Sequence, residues 1–167
     1  MSARSFLFRV SLGGLLCCGT ADSPSVAGGA DLFCMAEAIY FESRGETALG
    51  QLAVGITIKN RFQSNRYPDN ICDVVRQGRY FRGSPLRDKC QFSYFCDGKP
   101  ERITDFKAWE KALGLAALVL SSRVEVAGLE NVTHYHSVKV TPHWSKKLHY
   151  KTTVGRHLFY VKKGSGM

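Results

Sequence analysis

Hydrophobic residues in the first third of the chain follow the period of an α-helix. Between residues 31 and 44 they recur at intervals of three and four, at Leu32, Met35, Ala36, Ile39 and Tyr40. This spacing predicts a helix with one buried face, which Gly45 is expected to end. A second helix is predicted over residues 46–62, with apolar residues on more than one face. Such a helix belongs in the centre of a fold, because neighbours can cover it from several sides.

The middle of the chain has a different character. Residues 63–102 are rich in Asn, Asp, Pro, Gly, Arg and Cys, and only residues 71–75 and 92–95 form short apolar pieces. This composition predicts a long irregular segment of the kind that carries functional residues. A third helix is predicted from Thr104, as its N-cap, to about Ser122.

Apolar and polar residues alternate after Gly128, which is the period of a β-strand. One strand is predicted within residues 132–140 and a second within residues 156–161. The second is expected to pair with an earlier extended segment such as residues 148–153. These elements predict a predominantly helical α+β domain with a small antiparallel β element, whose cleft is lined by the middle segment and the late strands.

Composition and charge narrow the class of partner. The chain has 167 residues, of which 44% are hydrophobic, so it can bury one good core and form a single domain. Its formal charge is +9, from 23 Lys and Arg against 14 Asp and Glu, which favours a polyanionic partner. The basic residues are scattered and accompany no nucleic-acid motif. An anionic cell wall or an anionic membrane is therefore a better candidate than nucleic acid.

The N-terminus resembles a secretory signal. Two arginines precede a short apolar stretch at residues 10–18, and small and polar residues follow it. Cleavage could follow Ala21 or Ala27, so we expect a leader at residues 1–27 and one folded domain at residues 28–167. The apolar stretch is too short to span a bilayer as a permanent helix. A disordered basic leader is the alternative; a signal would place the protein in the periplasm, outside the cell or in the cell wall.

Four of the six cysteines, Cys34, Cys72, Cys90 and Cys96, lie in the expected mature domain. In an exported protein this even number predicts one or two disulfides that staple the loops, with the pairing left open among three complete arrangements. A zinc cluster is the alternative, but the spacings lack the pairs of short C-x-x-C hooks that such sites use.

Glu42 is the first candidate for chemistry. It follows Tyr40 and Phe41, neighbours that can desolvate its carboxyl group and keep it protonated near neutral pH, as a general acid requires. A surface glutamate paired with Arg44 is the alternative. Glu46 lies just ahead of the second helix, so we interpret it first as a first-turn carboxylate at the positive end of the helix dipole and second as a catalytic group.

The segment CMAEAIYFESRGE at residues 34–46 resembles the SleB-type cell wall hydrolases, a family that includes spore-cortex-lytic enzymes. Later segments occur in the family's order: GQLAVG at 50–55, KNR at 59–61, YPDNICDVV at 67–75, CQFS at 90–93, CDG at 96–98, HYH at 134–136, PHW at 142–144 and GRHLFY at 155–160. The resemblance covers about residues 32–160, nearly the whole expected mature chain.

This resemblance implies a lysozyme-like catalytic domain that cleaves the β-1,4 bond between N-acetylmuramic acid and N-acetylglucosamine in peptidoglycan. The family's catalytic glutamate falls on Glu42, which would protonate the leaving oxygen. Since no second acid is placed opposite it, we predict a lytic transglycosylase that forms 1,6-anhydromuramoyl ends. Hydrolysis with Glu46 or Asp97 as the second carboxylate is the alternative. The resemblance implies no cofactor and no metal, and we expect a monomer without nucleic acid or a membrane span.

The resemblance also suggests supporting residues. Gln91 and Ser93 would hydrogen-bond N-acetyl or hydroxyl groups of the substrate, and Tyr135 would position the scissile sugar or hold Glu42. Asn60 lies on an otherwise apolar helix and needs a partner if buried, so it would bind either the backbone of the catalytic loop or the substrate.

Two other classes of function remain open at this stage. His134 and His136 alternate on a predicted strand and therefore share one face, where a third histidine would complete a zinc amidase or peptidase site. The candidates for this third ligand are His143, His149 and His157. A wall-binding module without enzymatic activity is the other possibility.

Overall fold

A computed structural model of the chain describes residues 26–162, so the predicted leader lies outside this part except for its last two positions. The α-helices of this part are Val26–Ser43 (α1), Ala48–Phe62 (α2), Ile71–Val75 (α3) and Phe106–Leu120 (α4). Its strands are Gly78–Phe81 (β1), Ser84–Cys90 (β2), His134–Ser137 (β3), His149–Val154 (β4) and His157–Val161 (β5). Short 3-10 helices occupy Ser93–Cys96 and His143–Lys147.

Helices α1, α2 and α4 pack together and form the core. The predicted apolar face of α1 is buried, and α2 contacts α1, α3 and α4, as expected of a central helix. Thr47 is the N-cap of α2, where its hydroxyl accepts a hydrogen bond from the backbone N–H of Gly50. The largest fully buried side chains include Met35, Ile39, Tyr40, Val54, Ile58, Phe92, Val119 and Phe159.

Helix α4 begins one residue later than predicted. Its N-cap is Asp105 and not Thr104, because the Asp105 carboxylate accepts a hydrogen bond of 3.0 Å from the backbone N–H of Ala108. The backbone N–H groups of Thr104 and Asp105 both donate to the phenol oxygen of Tyr40, at 3.3 and 3.1 Å. The buried Tyr40 thereby fixes the start of α4 against α1.

The late strands form an antiparallel sheet in the order β3-β5-β4. In its register His149 pairs with Val161 and Val154 with His157, which confirms the predicted pairing of these two segments. Tyr135, on β3, pairs with Phe159 on β5. Because Phe159 is fully buried, this sheet fixes the position of Tyr135 relative to the helical core.

The middle segment contains a second sheet that the sequence did not reveal. Strands β1 and β2 form an antiparallel hairpin in which Gly78 pairs with Cys90 and Phe81 with Ser84. Every residue from Arg79 to Lys89 is exposed, so no apolar alternation marks these strands. The hairpin turns at Arg82 and Gly83, which both have positive φ, of 49° and 81°.

One disulfide connects the middle segment to α1, and a second lies within that segment. Cys34 of α1 is bonded to Cys72 of α3, and Cys90 at the end of β2 is bonded to Cys96 in the first 3-10 helix. The predicted disulfides are confirmed, and the pairing that the sequence left open is resolved. The helical α+β class with a small antiparallel element is also confirmed. No helix within residues 26–162 is long and apolar enough to cross a membrane.

Candidate active site

Glu42 lies in the last turn of α1, where its side chain is half-buried. The helix ends at the next residue, Ser43, whose hydroxyl donates to the carbonyl oxygen of Ile39 at 2.8 Å. A carboxyl group here faces the negative end of the helix dipole, which disfavours its ionised form. The sequence thus places an acid where both burial and the backbone favour retention of its proton.

Two hydroxyl groups from distant parts of the chain hold the Glu42 carboxyl group. Tyr135 Oη donates to Oε2 at 3.2 Å, and Ser93 Oγ donates to Oε1 at 3.4 Å. Of the two roles expected for Tyr135, the structure shows the contact with Glu42. Ser93 was expected to contact substrate, and here it contacts Glu42 from the 3-10 helix that follows β2. Both oxygens of the acid are therefore held in fixed directions.

Burial raises the pKa of Glu42 above its ordinary value, although hydrogen bonds from Tyr135 and from the 93–94 segment oppose part of this effect. Burial likewise raises the pKa of Tyr135 well above its ordinary value, with the charge of Glu42 contributing. Tyr135 therefore remains a hydrogen-bond donor at neutral pH. A carboxyl group in this setting can give up a proton and afterwards accept one, which is the chemistry of a single acid/base.

A cleft of about 440 Å³ opens beside Glu42. It shares Ser93 with the Glu42 site and is lined by Phe41, Arg44, Ser93, Tyr94, Asp97, Lys99, Pro100, Glu101, Arg102 and Thr104. Asp97, a candidate second acid, lies in this lining, where its carboxylate accepts from the backbone N–H of Lys99 at 2.8 Å and lies 3.6 Å from the Lys99 ammonium. The cleft thus offers polar and charged groups to a ligand.

Glu46 does not face Glu42 but is engaged elsewhere. Its side chain is only 6% exposed, and its two oxygens accept from Nε of Arg156 at 2.6 Å and from the backbone N–H of Arg156 at 3.1 Å. Burial opposes the charged form, but the hydrogen bonds and charge of Arg156 outweigh it and lower the pKa of Glu46. Our first interpretation of Glu46, a first-turn carboxylate, is wrong, because Thr47 caps α2 and Glu46 precedes the cap.

Two glycines allow this ion pair to form. Gly45 accepts a hydrogen bond of 3.1 Å from Nη2 of Arg156 through its carbonyl oxygen, and a Cβ atom at Gly45 would lie 3.3 Å from the same nitrogen. Gly155 has a φ of +56°, and a Cβ atom there would collide with the Glu46 carboxylate. The missing side chain at Gly155 therefore lets the β4–β5 turn approach the loop that follows Glu42, where the Gly45 carbonyl oxygen binds Arg156.

The two remaining predicted residues, Asn60 and Gln91, differ from each other in their surroundings. Asn60 donates to the carbonyl oxygens of Leu129 and Val132, both at 2.9 Å, so it binds the backbone of the loop that leads into β3. Gln91 has an exposed side chain, and no hydrogen bond within residues 26–162 connects that side chain to Glu42. Asn60 therefore supports the site from behind, and the contact of Gln91 with substrate stays a prediction.

The two histidines on β3 pack instead of converging on a metal site. His136 is hydrogen-bonded through Nδ1 to the Ser137 carbonyl oxygen and through Nε2 to Tyr160 Oη, both at 2.9 Å. His134 Nδ1 lies 2.9 Å from the Thr133 hydroxyl, and burial lowers the pKa of His134 to about 4. Within residues 26–162, no group of three His, Cys, Asp or Glu side chains is placed to hold a metal ion. The described residues therefore offer no set of side chains that could be the ligands of the alternative zinc site.

Arg61, to which the sequence analysis gave no role, lies behind the Glu42 site. The residue is only 4% exposed, and its Nε donates to the Thr133 carbonyl oxygen at 2.7 Å. Its guanidinium lies 5.1 Å from the centre of the Phe92 ring and 5.4 Å from that of Tyr67. Within residues 26–162, no carboxylate lies at ion-pair distance from it.

These contacts connect Arg61 to both partners of Glu42. Phe92 directly precedes Ser93, and Thr133 lies two residues before Tyr135, so Arg61 contacts both segments that supply hydroxyl groups to Glu42. Burial lowers the pKa of Arg61, while the charges of Tyr67, Tyr135 and Glu42 oppose that change. The spacing of Arg61 from Val54 and Ile58, which places it on the buried face of α2, was the available signal in the sequence.

Comparison with known proteins gives the chain a family and a fold. The model of the family described as Cell Wall Hydrolase matches residues 45–160, a segment that begins after Glu42. A spore cortex-lytic enzyme of Halalkalibacterium halodurans is 47% identical over 45 residues, which are 27% of this chain and 14% of that protein. One of Bacillus cereus is 45% identical over 51 residues, 30% of this chain and 20% of that protein. The matched stretch thus spans at most a fifth of these two relatives.

Two solved structures share the fold. The catalytic domain of SleB from Bacillus anthracis, described as a germination-specific lytic transglycosylase, superimposes with a TM-score of 0.57 at 24% identity. That comparison covers 83% of this chain and 98% of the other. The catalytic domain of the Bacillus cereus SleB protein gives a TM-score of 0.59 at 24% identity and covers 86% and 98%. At this identity the likeness shows the fold.

The position of Arg61 predicts that its charge lowers the pKa of Glu42. In the variant Arg61→Met the pKa of Glu42 should rise, because a nearby cation that favours the carboxylate is lost. Arg61→Lys, which keeps the charge, should leave it closer to the wild-type value. NMR titration of the side-chain carboxyl carbon measures this pKa, and Glu42→Gln identifies the signal. An unchanged or lower pKa in Arg61→Met would contradict the electrostatic role.

The Glu46–Arg156 ion pair predicts a pH-dependent contribution to stability. Glu46→Gln should lower the free energy of unfolding by about 1 kcal/mol at neutral pH, a modest value because Arg156 is largely exposed. Since folding lowers the pKa of Glu46, the loss should be complete above the ordinary value of 4.5 and should shrink as the pH falls through the folded-state value.

Urea unfolding over a series of pH values measures this contribution, and Glu110→Gln on the exposed face of α4 is the matched control. If both variants lose the same stability, or if the loss in Glu46→Gln persists unchanged at acidic pH, the ion pair does not contribute as described.

Proposed function

Because the chain belongs to the cell wall hydrolase family, we propose that it cleaves the β-1,4 bond between N-acetylmuramic acid and N-acetylglucosamine in peptidoglycan as a lytic transglycosylase. The observation that carries the proposal is the half-buried Glu42, whose carboxyl group has a raised pKa and two hydroxyl partners beside an open cleft. A domain that shares this fold is described as a lytic transglycosylase, and we extend that activity to this chain.

In the proposed reaction Glu42 acts first as an acid and then as a base. Its proton passes to the glycosidic oxygen while the bond from this oxygen to C1 of the muramoyl sugar breaks, and positive charge develops at C1. The 6-hydroxyl oxygen of the same sugar then bonds to C1, and its proton returns to the Glu42 carboxylate. The products are a 1,6-anhydromuramoyl end and a free 4-hydroxyl group, and no water is consumed.

The partners of Glu42 suit both halves of this reaction. Tyr135 and Ser93 each donate a hydrogen bond to the carboxyl group, which stabilises the carboxylate that forms when the proton leaves. Burial raises the pKa of the resting group and so favours its protonated form. The balance between these opposing effects is what a group that must alternate between acid and base requires.

The surroundings of the other acids favour transglycosylation over hydrolysis. A hydrolase needs a second carboxylate as base or nucleophile. Glu46 already accepts two hydrogen bonds from Arg156, and Asp97 is paired with Lys99. The alternative, a hydrolytic muramidase, would depend on a carboxylate that lines the same cleft as Ser93, either Asp97 or Glu101.

The proposed substrate lies outside the cytoplasm, so the proposal includes export through the leader predicted at residues 1–27. The two disulfides agree with an oxidising compartment. The net charge of +9 would draw the enzyme to the anionic wall. We expect it to act there as a monomer without a cofactor.

Replacement of Glu42 tests this proposal. On purified sacculi the wild type should release muropeptides with 1,6-anhydromuramoyl ends, and Glu42→Gln should lower the rate by about a hundred- to ten-thousand-fold, because the amide cannot donate the proton. Mass analysis of the soluble products distinguishes anhydro ends from reducing ends.

Glu110→Gln on the exposed face of α4 is the matched control, since it makes the same chemical change at a residue away from both Glu42 and the cleft lining. It should retain activity. Full activity in Glu42→Gln would remove Glu42 from the mechanism. Reducing ends from the wild type would point to hydrolysis, and binding to sacculi without soluble products would favour a wall-binding module.

A further inference from the structure

The hairpin formed by β1 and β2, residues 78–90, is the most exposed ordered element among residues 26–162. All its residues from Arg79 to Lys89 are exposed, and large apolar side chains are among them, with Phe81 62% and Tyr80 47% exposed. A two-stranded hairpin that buries so little is marginally stable by itself. We call this element the basic hairpin, because Arg79, Arg82, Arg87 and Lys89 accompany a single acid, Asp88.

The rest of the fold holds the basic hairpin in place. The disulfide between Cys90 and Cys96 anchors its second strand, and Tyr80 Oη donates to the Arg76 carbonyl oxygen at 2.7 Å. The backbone N–H of Gln91 donates to the Gln77 carbonyl oxygen at 2.8 Å. These bonds order a segment that adds almost nothing to the core, which is expected when an exposed surface is itself functional.

The C-terminal end of the basic hairpin lies near the cleft. Its last residue, Cys90, lies close in sequence to Ser93, which contacts Glu42. The guanidinium of Arg87 packs on Gly98, whose Cβ position would lie 3.3 Å from Cζ of that arginine. Gly98 is flanked by Asp97 and Lys99, which line the cleft beside Glu42. The hairpin therefore continues the edge of this cleft outward.

The charges of the basic hairpin are available to a partner. Its one ion pair at or below 4.0 Å within the described residues joins Arg87 Nε and Asp88 at 3.9 Å, with side chains 77% and 73% exposed, so this pair is weak. The Arg82 guanidinium lies 5.3 Å from the centre of the Phe81 ring. Cations beside an exposed aromatic ring suit a polymer that combines carboxylates with the flat faces of sugar rings.

We propose that the basic hairpin binds the peptide-bearing glycan strand outside the cleaved bond, with its cations on carboxylates of the stem peptides and Phe81 against a sugar ring. This inference rests on the proposed function for the identity of the polymer. It assigns to the hairpin the attachment of the enzyme to the insoluble wall, separate from the chemistry at Glu42.

The test compares two triple variants of the full chain with the same loss of charge. Arg79→Gln/Arg82→Gln/Lys89→Gln alters the basic hairpin, and Lys107→Gln/Lys111→Gln/Arg123→Gln alters exposed cations on α4 and after it. Co-sedimentation with purified sacculi measures binding, and cleavage of short soluble glycan fragments measures the chemistry. The hairpin variant should bind sacculi roughly tenfold more weakly, as expected for three exposed charge contacts. The α4 variant should bind nearly as the wild type, and both should keep the wild-type rate on short fragments.

Two further measurements identify what the basic hairpin contacts. Phe81→Ser should weaken binding at both low and high salt, whereas the contribution of the three cations should fade at high salt. Sacculi from which an amidase has removed the stem peptides should bind the wild type and the hairpin variant equally. Equal binding losses in the two triple variants would overturn the proposal. Vesicles of anionic lipid serve as a second surface in the same co-sedimentation assay. If the hairpin variant binds these vesicles more weakly but binds sacculi like the wild type, the proposal is also overturned.

Failure of this inference can be distinguished from failure of the proposed function. If the wild type cleaves neither sacculi nor fragments, the proposed function fails, but the binding comparison still decides the role of the hairpin. If cleavage proceeds and the hairpin variant binds sacculi like the wild type, only the role of the hairpin is overturned. A fall in the rate on short fragments would also overturn it, because the hairpin would then act on the site itself.

Discussion

The candidate site depends on the placement of one carboxyl group, that of Glu42, in a half-buried position at the end of a helix. Burial and the negative end of the helix dipole favour its protonated form, and two hydroxyl groups favour its carboxylate. Neither effect alone would give a group able to release and recover a proton. Met35, Ile39 and Tyr40 pack α1 into the core, and this packing holds Glu42 in the position where both effects act on its carboxyl group.

Two arginines control the segments around this group in different ways. Arg61 is buried behind the site and contacts Thr133 and the Phe92 ring, so one side chain positions both segments that reach Glu42. Arg156 lies at the surface and holds Glu46, which connects the turn between β4 and β5 to the loop after α1. The two glutamates therefore have different surroundings: two hydroxyl groups hold the Glu42 carboxyl group, and an ion pair with Arg156 holds Glu46.

Local pattern was sufficient to predict α1, α2 and α4, because their buried residues follow an apolar period, and it also predicted the pairing of β4 with β5. The short helix α3 was predicted only as an apolar piece of the middle segment. The pattern did not predict the basic hairpin, because the exposed strands of the hairpin show no apolar alternation. It also placed the N-cap of α4 at Thr104, one residue before the observed N-cap, Asp105. The half-buried position of Glu42 was predictable from its neighbours, and its role as the acid stays a prediction. The roles of Arg61 and Arg156 were not predictable, because each depends on contacts with residues far away in the chain.

The central claim is that Glu42 acts alone and that a hydroxyl group of the substrate, not water, attacks C1 of the muramoyl sugar. Cleavage of sacculi in water enriched in heavy oxygen tests this claim most directly, with mass analysis of the newly formed muramoyl ends. The account predicts that these ends contain no oxygen from the solvent, since the ring closes through the sugar's own 6-hydroxyl oxygen. Heavy oxygen at C1 of these ends would show that water attacks, and the claim of a single carboxyl group that works without water would be wrong.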